Sequence, residues 1–324
     1  MTFAGSPDRV EARLVPDAGY EFDPFRISGF PRRPSVKFVS ALAQALAAPR
    51  ACRHILRARQ PDVVLGGGGY VAGPMVYAAS RRGIPTALME ADAHVGLANR
   101  LAAPFAERVF LSFPAEGKGP PKYRVTGRPI PARSQPTSRA AGRERFGLPA
   151  QGTVLLVFGG SQGARSLNEL AVDSFGAAGP AVLHLSGERD FEQLRPRVRR
   201  TDYVLIPFTD DFGAAVGAAD LVIARAGGSV WEIAAAGKPA LLVPYPFATG
   251  DHQAKNAAFF QDAGGAIVVP ETDLGLVPEL ARSLLGDPDR MTEMSEAMVR
   301  VSRPGAAARI AEELIALARS GRSL

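Results

Sequence analysis

Four turns in this chain concentrate residues able to do chemistry. Gly159-Gly160-Ser161-Gln162-Gly163 follows the apolar run Thr153–Phe158 and opens an amphipathic stretch. Glycines let a phosphate or ribose approach the backbone, the next N–H groups are free donors, and Ser161 adds a hydroxyl. The Lys-Ser/Thr pair of a Walker loop is missing, and the spacing is not GxGxxG. Ala226-Gly227-Gly228-Ser229-Val230-Trp231-Glu232 repeats the arrangement after Leu221–Ala224. Ser229 there is a capping hydroxyl, and Glu232 stands one turn into the next helix, where a carboxylate accepts both hydroxyls of a ribose. A helix dipole also favours a first-turn acid with no ligand at all.

Asp251-His252-Gln253-Ala254-Lys255-Asn256 places Gln253 and Asn256 three apart, so two amides on one helix face suit sugar hydroxyls. Gly66-Gly67-Gly68-Gly69, followed by Tyr70, comes after Asp62–Leu65. Four consecutive glycines are hard to justify by packing, because each costs conformational entropy; close approach of something to the backbone is expected. Glu90-Ala91-Asp92-Ala93-His94 adds two carboxylates and an imidazole. None of these spacings is a zinc or calcium pattern, so no metal site and no cofactor are expected.

These turns need elements to hold them. Strand candidates are Thr2–Ala4, Asp62–Leu65, Pro85–Met89, Arg108–Ser112, Thr153–Phe158, Ala181–Leu185, Tyr203–Ile206, Leu221–Ala224, Ala240–Val243 and Ala266–Val269. Helix-like stretches Val36–Ala58, Ala164–Phe175, Glu188–Arg197, Val230–Ala236 and Gln253–Asp262 alternate with them. The strand runs are continuously apolar, as strands buried on both faces should be. Such alternation gives an α/β class with two doubly wound, Rossmann-like domains facing a cleft. Gly127–Pro149, rich in Pro, Arg, Ser and Gly, reads as a linker. The expected domains are 1–131, with 305–324 returning as a last helix from Ala306, and 132–304.

Length and composition narrow the classes. With 324 residues, 46% hydrophobic and 22% charged, the chain is long enough for two cores and is not disordered. Its lone cysteine, Cys52, excludes an internal disulfide. No apolar run nears the roughly 18–20 residues of a membrane span, and no signal peptide is visible, so a cytoplasmic protein is expected. The net charge of +6 is carried mainly by arginine. No basic run interleaves with stacking aromatics, so nucleic acid is not an expected partner. Phe25-Arg26-Ile27 through Phe30-Pro31-Arg32-Arg33, then Lys37-Phe38, mixes apolar and cationic side chains and suits an anionic membrane surface.

The motifs GGYVAGP at Gly68–Pro74, GLANRL at Gly96–Leu101, GGSQGARSLNE at Gly159–Glu169, EIAAAGKPALLVPYP at Glu232–Pro246 and DHQAKNA at Asp251–Ala257 occur in the order found in glycosyltransferase family 28. The chain resembles that family from residue 2 to its last helix. The resemblance implies a GT-B fold and an inverting transferase acting in peptidoglycan synthesis. It would move N-acetylglucosamine from UDP-N-acetylglucosamine to the C4 hydroxyl of a lipid-linked muramyl-pentapeptide, peripherally on the cytoplasmic face of the membrane. Carried over, the donor residues are Asp92, Ser161, Thr209, Gly228, Ser229, Val230, Trp231, Glu232 and Gln253. Gly68, Gly69, Tyr70 and Asn99 fall on the acceptor side.

Departures from the family pattern are visible. Met89-Glu90-Ala91-Asp92 stands where the family reads His-Glu-Gln-Asn, so Asp92 replaces a donor-contacting Asn. The Gly227–Glu232 loop is one residue shorter than the common form. Pro131 occupies the place of an expected arginine, with Arg128 and Arg133 nearby. The family's proposed base, a histidine on a glycine-rich loop, would lie upstream of Met1, which leaves Glu90 as the candidate here. The first domain is accordingly expected to lack a strand–loop–helix unit at its amino end, with strand edges exposed. Two other readings stay open: a different GT-B lipid glycosyltransferase, and a UDP-sugar-binding chain without turnover.

Overall fold

The computed structural model describes residues 1–29, 36–160 and 163–321. The chain divides into two compact units, Met1–Thr126 with Ala308–Leu324, and Gly127–Ala307. The crossings thus fall at 126/127 and 307/308, where 131/132 and 304/305 were expected.

Unit 1 contains β1 (Thr2–Gly5), α1 (Glu11–Asp17), β2 (Glu21–Pro24), α2 (Val36–Arg59), β3 (Val64–Gly66), α3 (Gly69–Ser80), β4 (Thr86–Glu90), α4 (Leu97–Ala102), β5 (Arg108–Leu111) and β6 (Tyr123–Val125). Its strands are all parallel but form two sheets, β1-β2 and β3-β4-β5-β6. Ala4 of β1 and Val64 of β3 reach one core with Phe25, Ile27, Cys52 and Leu56, yet the two strands share no ladder. Phe3 and Leu65, on those two strands, are 38% and 39% exposed. Burial of Phe25 and Ile27 corrects the expectation that they face a membrane: chain leaving β2 turns them under α2 and α3. Phe30, Pro31, Arg32 and Arg33 lie outside the described residues.

Unit 2 contains α5 (Arg139–Arg145), β7 (Val154–Phe158), α6 (Arg165–Phe175), β8 (Ala181–Leu185), α7 (Glu188–Leu194), β9 (Tyr203–Ile206), α8 (Phe212–Ala218), β10 (Leu221–Ala224), α9 (Val230–Ala235), β11 (Ala240–Leu242), α10 (His252–Asp262), β12 (Ala266–Val268), α11 (Val277–Leu285) and α12 (Pro288–Val301). Six strands make one parallel sheet in the order β12-β11-β10-β7-β8-β9. Leu155, Val157, Val182, Ile223 and Leu241 face Leu167, Phe175 and Val277 in its core, and each large apolar side chain buried there contributes about 2 kcal/mol. The last helix, α13 (Ala306–Gly321), sets Ile310 and Leu317 against Ala87 and Phe110 of unit 1.

Gly127–Pro149 is not a free linker, which corrects that reading. It carries α5, and Arg143 on α5 is only 1% exposed. The Arg143 guanidinium donates to Asp220 at 2.7 Å and to the carbonyls of Ala218, Ala150 and Gly152. Asp220 in turn accepts from the Val154 amide at 2.7 Å, so this arginine-rich segment is stitched to the first strand of unit 2. Composition alone concealed it, because a buried arginine reads like any other.

Candidate active site

Register builds the site in unit 2. Phe158 pairs with both Ala224 and Leu185, and Leu185 pairs with Ile206, so four strands end at one level. Their following loops must therefore converge. Chain order also reverses between β7 and β10, which makes this rim the switch-point crevice where open α/β sheets bind ligands. A cavity of about 210 Å³ opens there. Phe158, Gly160, Leu185, Pro207, Phe208, Thr209, Phe212, Ser229 and Glu232 are among its lining residues. The Phe158 and Phe212 rings meet edge to face at 5.1 Å, giving a firm apolar wall.

Thr209, Ser229 and Glu232, singled out from the sequence, line one cavity together with Gly160 of the first glycine turn. Ser229, expected to cap α9, makes no side-chain cap hydrogen bond there. Ser161 lies outside the described residues. Thr209 is held by the Asp211 amide, which donates to its hydroxyl at 3.1 Å. Burial raises the Glu232 carboxyl above the usual range, and the nearby Arg128 charge opposes that shift. The Arg128 guanidinium lies against Gly228: a Cβ there would come 2.3 Å from its central carbon. Val230 and Trp231 turn into the core, Trp231 against Phe259 and Phe260, so any ligand contact from them is through backbone.

Steric demands explain the glycine turn after β7. A Cβ on Gly159 would meet Ala164 at 2.3 Å, and one on Gly163 would meet the Ser186 carbonyl at 2.2 Å. Ser186 is fixed from beneath by Asn168, whose amide donates to its carbonyl at 2.8 Å. Asn168 Oδ1 can only accept, so His184 Nε2 donates to it at 3.0 Å and Nδ1 accepts from the Tyr203 hydroxyl at 2.9 Å. Burial pushes the His184 pKa down to about 3, so this ring stays neutral.

A second device went unread in the sequence. Arg225, 7% exposed, donates to the Val243 carbonyl at 3.2 Å, to the Ser166 hydroxyl at 3.0 Å and to both oxygens of Glu271. It ties together the segments that follow β7, β10, β11 and β12. Burial works to raise the Glu271 pKa, but hydrogen bonds from Arg225 and Ser166 outweigh it and hold the carboxyl below its usual value. Gln253 accepts from the Tyr245 amide at 2.9 Å, which leaves its NH₂ group for other partners. Asn256 does not share an open face with it: Asn256 is fully buried and donates to the Ala226 carbonyl at 3.2 Å. Its spacing from Gln253 was right, but the helix turns that flank toward the β10–α9 loop.

Unit 1 gathers a separate polar cluster at the ends of β3 and β4. Gly66 is explained by packing after all, since a Cβ would strike Leu88 at 2.8 Å and Val76 at 2.9 Å. Gly68 and Gly69 have φ of 96° and 69°, values that side-chain-bearing residues rarely adopt. Glu90 accepts from the Asp92 amide at 3.3 Å, the Gly96 amide at 2.9 Å and Asn99 Nδ2 at 2.9 Å. Both its oxygens therefore organise the β4–α4 loop. Asn99 also donates to the Met89 carbonyl at 3.1 Å, while its Oδ1 is buried without a hydrogen-bond partner. The Tyr70 hydroxyl accepts from Arg9 at 2.9 Å. Among the described residues, no group of three or more His, Cys, Asp or Glu side chains could hold a metal ion.

Known proteins carry the same pattern. Residues 154–312 match the glycosyltransferase family 28 C-terminal domain, and residues 2–111 match the family's N-terminal domain. A relative from Halothermothrix orenii is 37% identical over 94% of this chain and 88% of its own length. One from Mycolicibacterium paratuberculosis is 39% identical over 99% of this chain and 82% of its own. Both are named UDP-N-acetylglucosamine--N-acetylmuramyl-(pentapeptide) pyrophosphoryl-undecaprenol N-acetylglucosamine transferase. The crystal structure of Acinetobacter baumannii MurG superimposes with a TM-score of 0.78 at 27% identity, covering 97% of this chain and 90% of that one. A UDP-N-acetylglucosamine 2-epimerase from Neisseria meningitidis shares the fold alone, with a TM-score of 0.64 at 14% identity. The chain belongs to glycosyltransferase family 28.

Proposed function

We propose that this chain is the hexosyltransferase that moves N-acetylglucosamine from UDP-N-acetylglucosamine to the C4 hydroxyl of undecaprenyl-pyrophosphoryl-N-acetylmuramyl-pentapeptide. The observation that carries the reading is the aromatic-walled cavity at the switch point of unit 2, where Thr209, Ser229 and Glu232 converge. A uracil fits between Phe158, Phe208 and Phe212, with Thr209 at its polar edge. Glu232, one turn into α9, accepts the ribose hydroxyls, and Gly160 lets the diphosphate approach the backbone. The NH₂ group of Gln253 serves the sugar hydroxyls.

The reaction is a single displacement with inversion. The acceptor oxygen bonds to C1 of the sugar, the bond from C1 to the diphosphate oxygen breaks with its electron pair, and UDP departs. The hydroxyl proton passes to a general base. Glu90 is poorly suited to that task because its oxygens are spent on Asp92, Gly96 and Asn99. We assign it instead to holding the β4–α4 loop, with Asn99 Oδ1 and the Gly68–Tyr70 backbone on the acceptor side.

A lipid-borne acceptor requires work at a membrane surface, and no helix of the described residues is long and apolar enough to cross one. Leu97 and Leu101, one turn apart on α4 and 68% and 67% exposed, flank Arg100 and suit peripheral contact with anionic lipid. Incubation with UDP-N-acetylglucosamine and a short-chain muramyl lipid tests the reading. Turnover to the disaccharide lipid supports it. Turnover only with diacylglycerol, or binding of the donor without transfer, overturns it.

A further inference from the structure

Arg128 sits where the chain enters unit 2. Gly127 before it has φ of 83°, and a Cβ at that residue would fall 2.2 Å from the Arg303 side chain, so the turn is sharply constrained. Beyond it the guanidinium lies over Gly228. A Cβ at 228 would stand 2.3, 2.5 and 2.7 Å from Cζ, Nη1 and Nη2, nearly equal distances that mean the plane rests flat on the glycine. Gly228 does not have positive φ, so what a side chain there would meet is the guanidinium itself.

The guanidinium makes no hydrogen bond to any described residue, although the side chain is half-buried. None of the five N–H donors of this permanent cation is spent on a described residue, whereas Arg143, Arg200 and Arg225 each commit theirs to carbonyls and carboxylates. Its charge is felt at Glu232, which also lines the cavity with Ser229. A planar, half-desolvated fork above a glycine turn is the geometry for bidentate contact with phosphate oxygens.

Resting on the donor-site reading, we propose that Arg128 is the residue that grips the diphosphate of the nucleotide sugar. As the C1–oxygen bond breaks, its electron pair stays on the diphosphate, and Arg128 takes up that growing negative charge. Glu232 and Arg128 then divide the nucleotide between them, hydroxyls to the carboxylate and phosphates to the guanidinium.

The test compares UDP with uridine, which differ only in the diphosphate, by calorimetric titration of the full chain. Wild type should bind UDP far more tightly than uridine. Arg128→Gln should weaken UDP about tenfold or more and leave uridine within about twofold, with Arg128→Lys recovering part of the loss. Gly228→Ala, which displaces the guanidinium without removing its charge, should reproduce the selective loss of UDP. Equal loss of both ligands in Arg128→Gln, or no loss of UDP, overturns the proposal. Failure of the wild type to bind either ligand overturns the donor-site reading instead.

Discussion

Units 1 and 2 are built from the same strand–helix repeat but differ in continuity. Among the described residues, unit 2 has one sheet of six parallel strands, while unit 1 divides six strands into sheets of two and four. In unit 2 every strand end is registered against a neighbour, and the loops beyond them are cross-tied by Arg225 and by the His184–Asn168 pair. In unit 1 the edges of β1 and β3 carry exposed Phe3 and Leu65, and the polar cluster is local, spanning only Glu90 to Asn99. A donor that must be held by base, ribose and diphosphate together needs loops fixed relative to each other. The continuous sheet supplies that.

Cutting a tie in unit 2 should have the gravest consequence. Arg225→Ala leaves the Glu271 carboxylate and several carbonyls without their buried cation, and should destabilise unit 2 by about 3–5 kcal/mol. Denaturant unfolding should show the loss, and UDP binding should fall with it. A variant that unfolds like wild type would show that the clamp does not organise the rim. In unit 1 the Arg108–Glu313 pair, 3.5 Å apart and partly exposed, should cost no more than about 1 kcal/mol when Arg108 is replaced by Ala.

The buried histidine makes a smaller, pH-dependent contrast. His184 titrates near 3 when folded against 6.5 when exposed, so between those values the unfolded chain binds the extra proton. Stability from this site is complete above about 6.5 and falls by about 1.4 kcal/mol per pH unit on acidification. Unfolding measured between about pH 7 and pH 5 should show that slope in wild type and lose it in His184→Gln. The same slope in both would remove the neutral-histidine network from the account.

The smallest effect belongs to the surface of unit 1. Cosedimentation with anionic vesicles should weaken as salt rises, and Leu97→Ser with Leu101→Ser should weaken it further. Binding indifferent to salt and to both substitutions would count against α4 as the contact.

Much of this was legible in the chain because buried parallel strands write themselves as continuous apolar runs. All ten strand candidates appear, shifted by no more than two residues at either end. The two that escaped, β2 with the sequence EFDP and β6 with YRV, are end strands of their sheets, half open to solvent and too polar to stand out. Ser229 and Glu232 were readable in the glycine turn between β10 and α9, and Thr209 through the family resemblance. Arg225 was not, and Arg128 stood out only as a neighbour of an expected arginine. Arg128 lay in a segment whose composition resembles a linker, and Arg225 finds Ser166 and Glu271 at 59 and 46 residues' distance. Gly66 was misread for the opposite reason, since only the packed structure shows Leu88 and Val76 against it.

Glu232 is the proposed ribose carboxylate at the unit 2 rim. Burial raises its pKa, so acidification should remove the ionised form earlier than for an ordinary carboxylate, and donor affinity should fall with it. Calorimetric titration of UDP-N-acetylglucosamine into wild type and Glu232→Ala, across that range, reads this directly. The account predicts a loss of about 1.5–3 kcal/mol in the variant at neutral pH, about tenfold to a hundredfold in Kd, and no acid-dependent fall in what remains. An unchanged Kd in Glu232→Ala would contradict it.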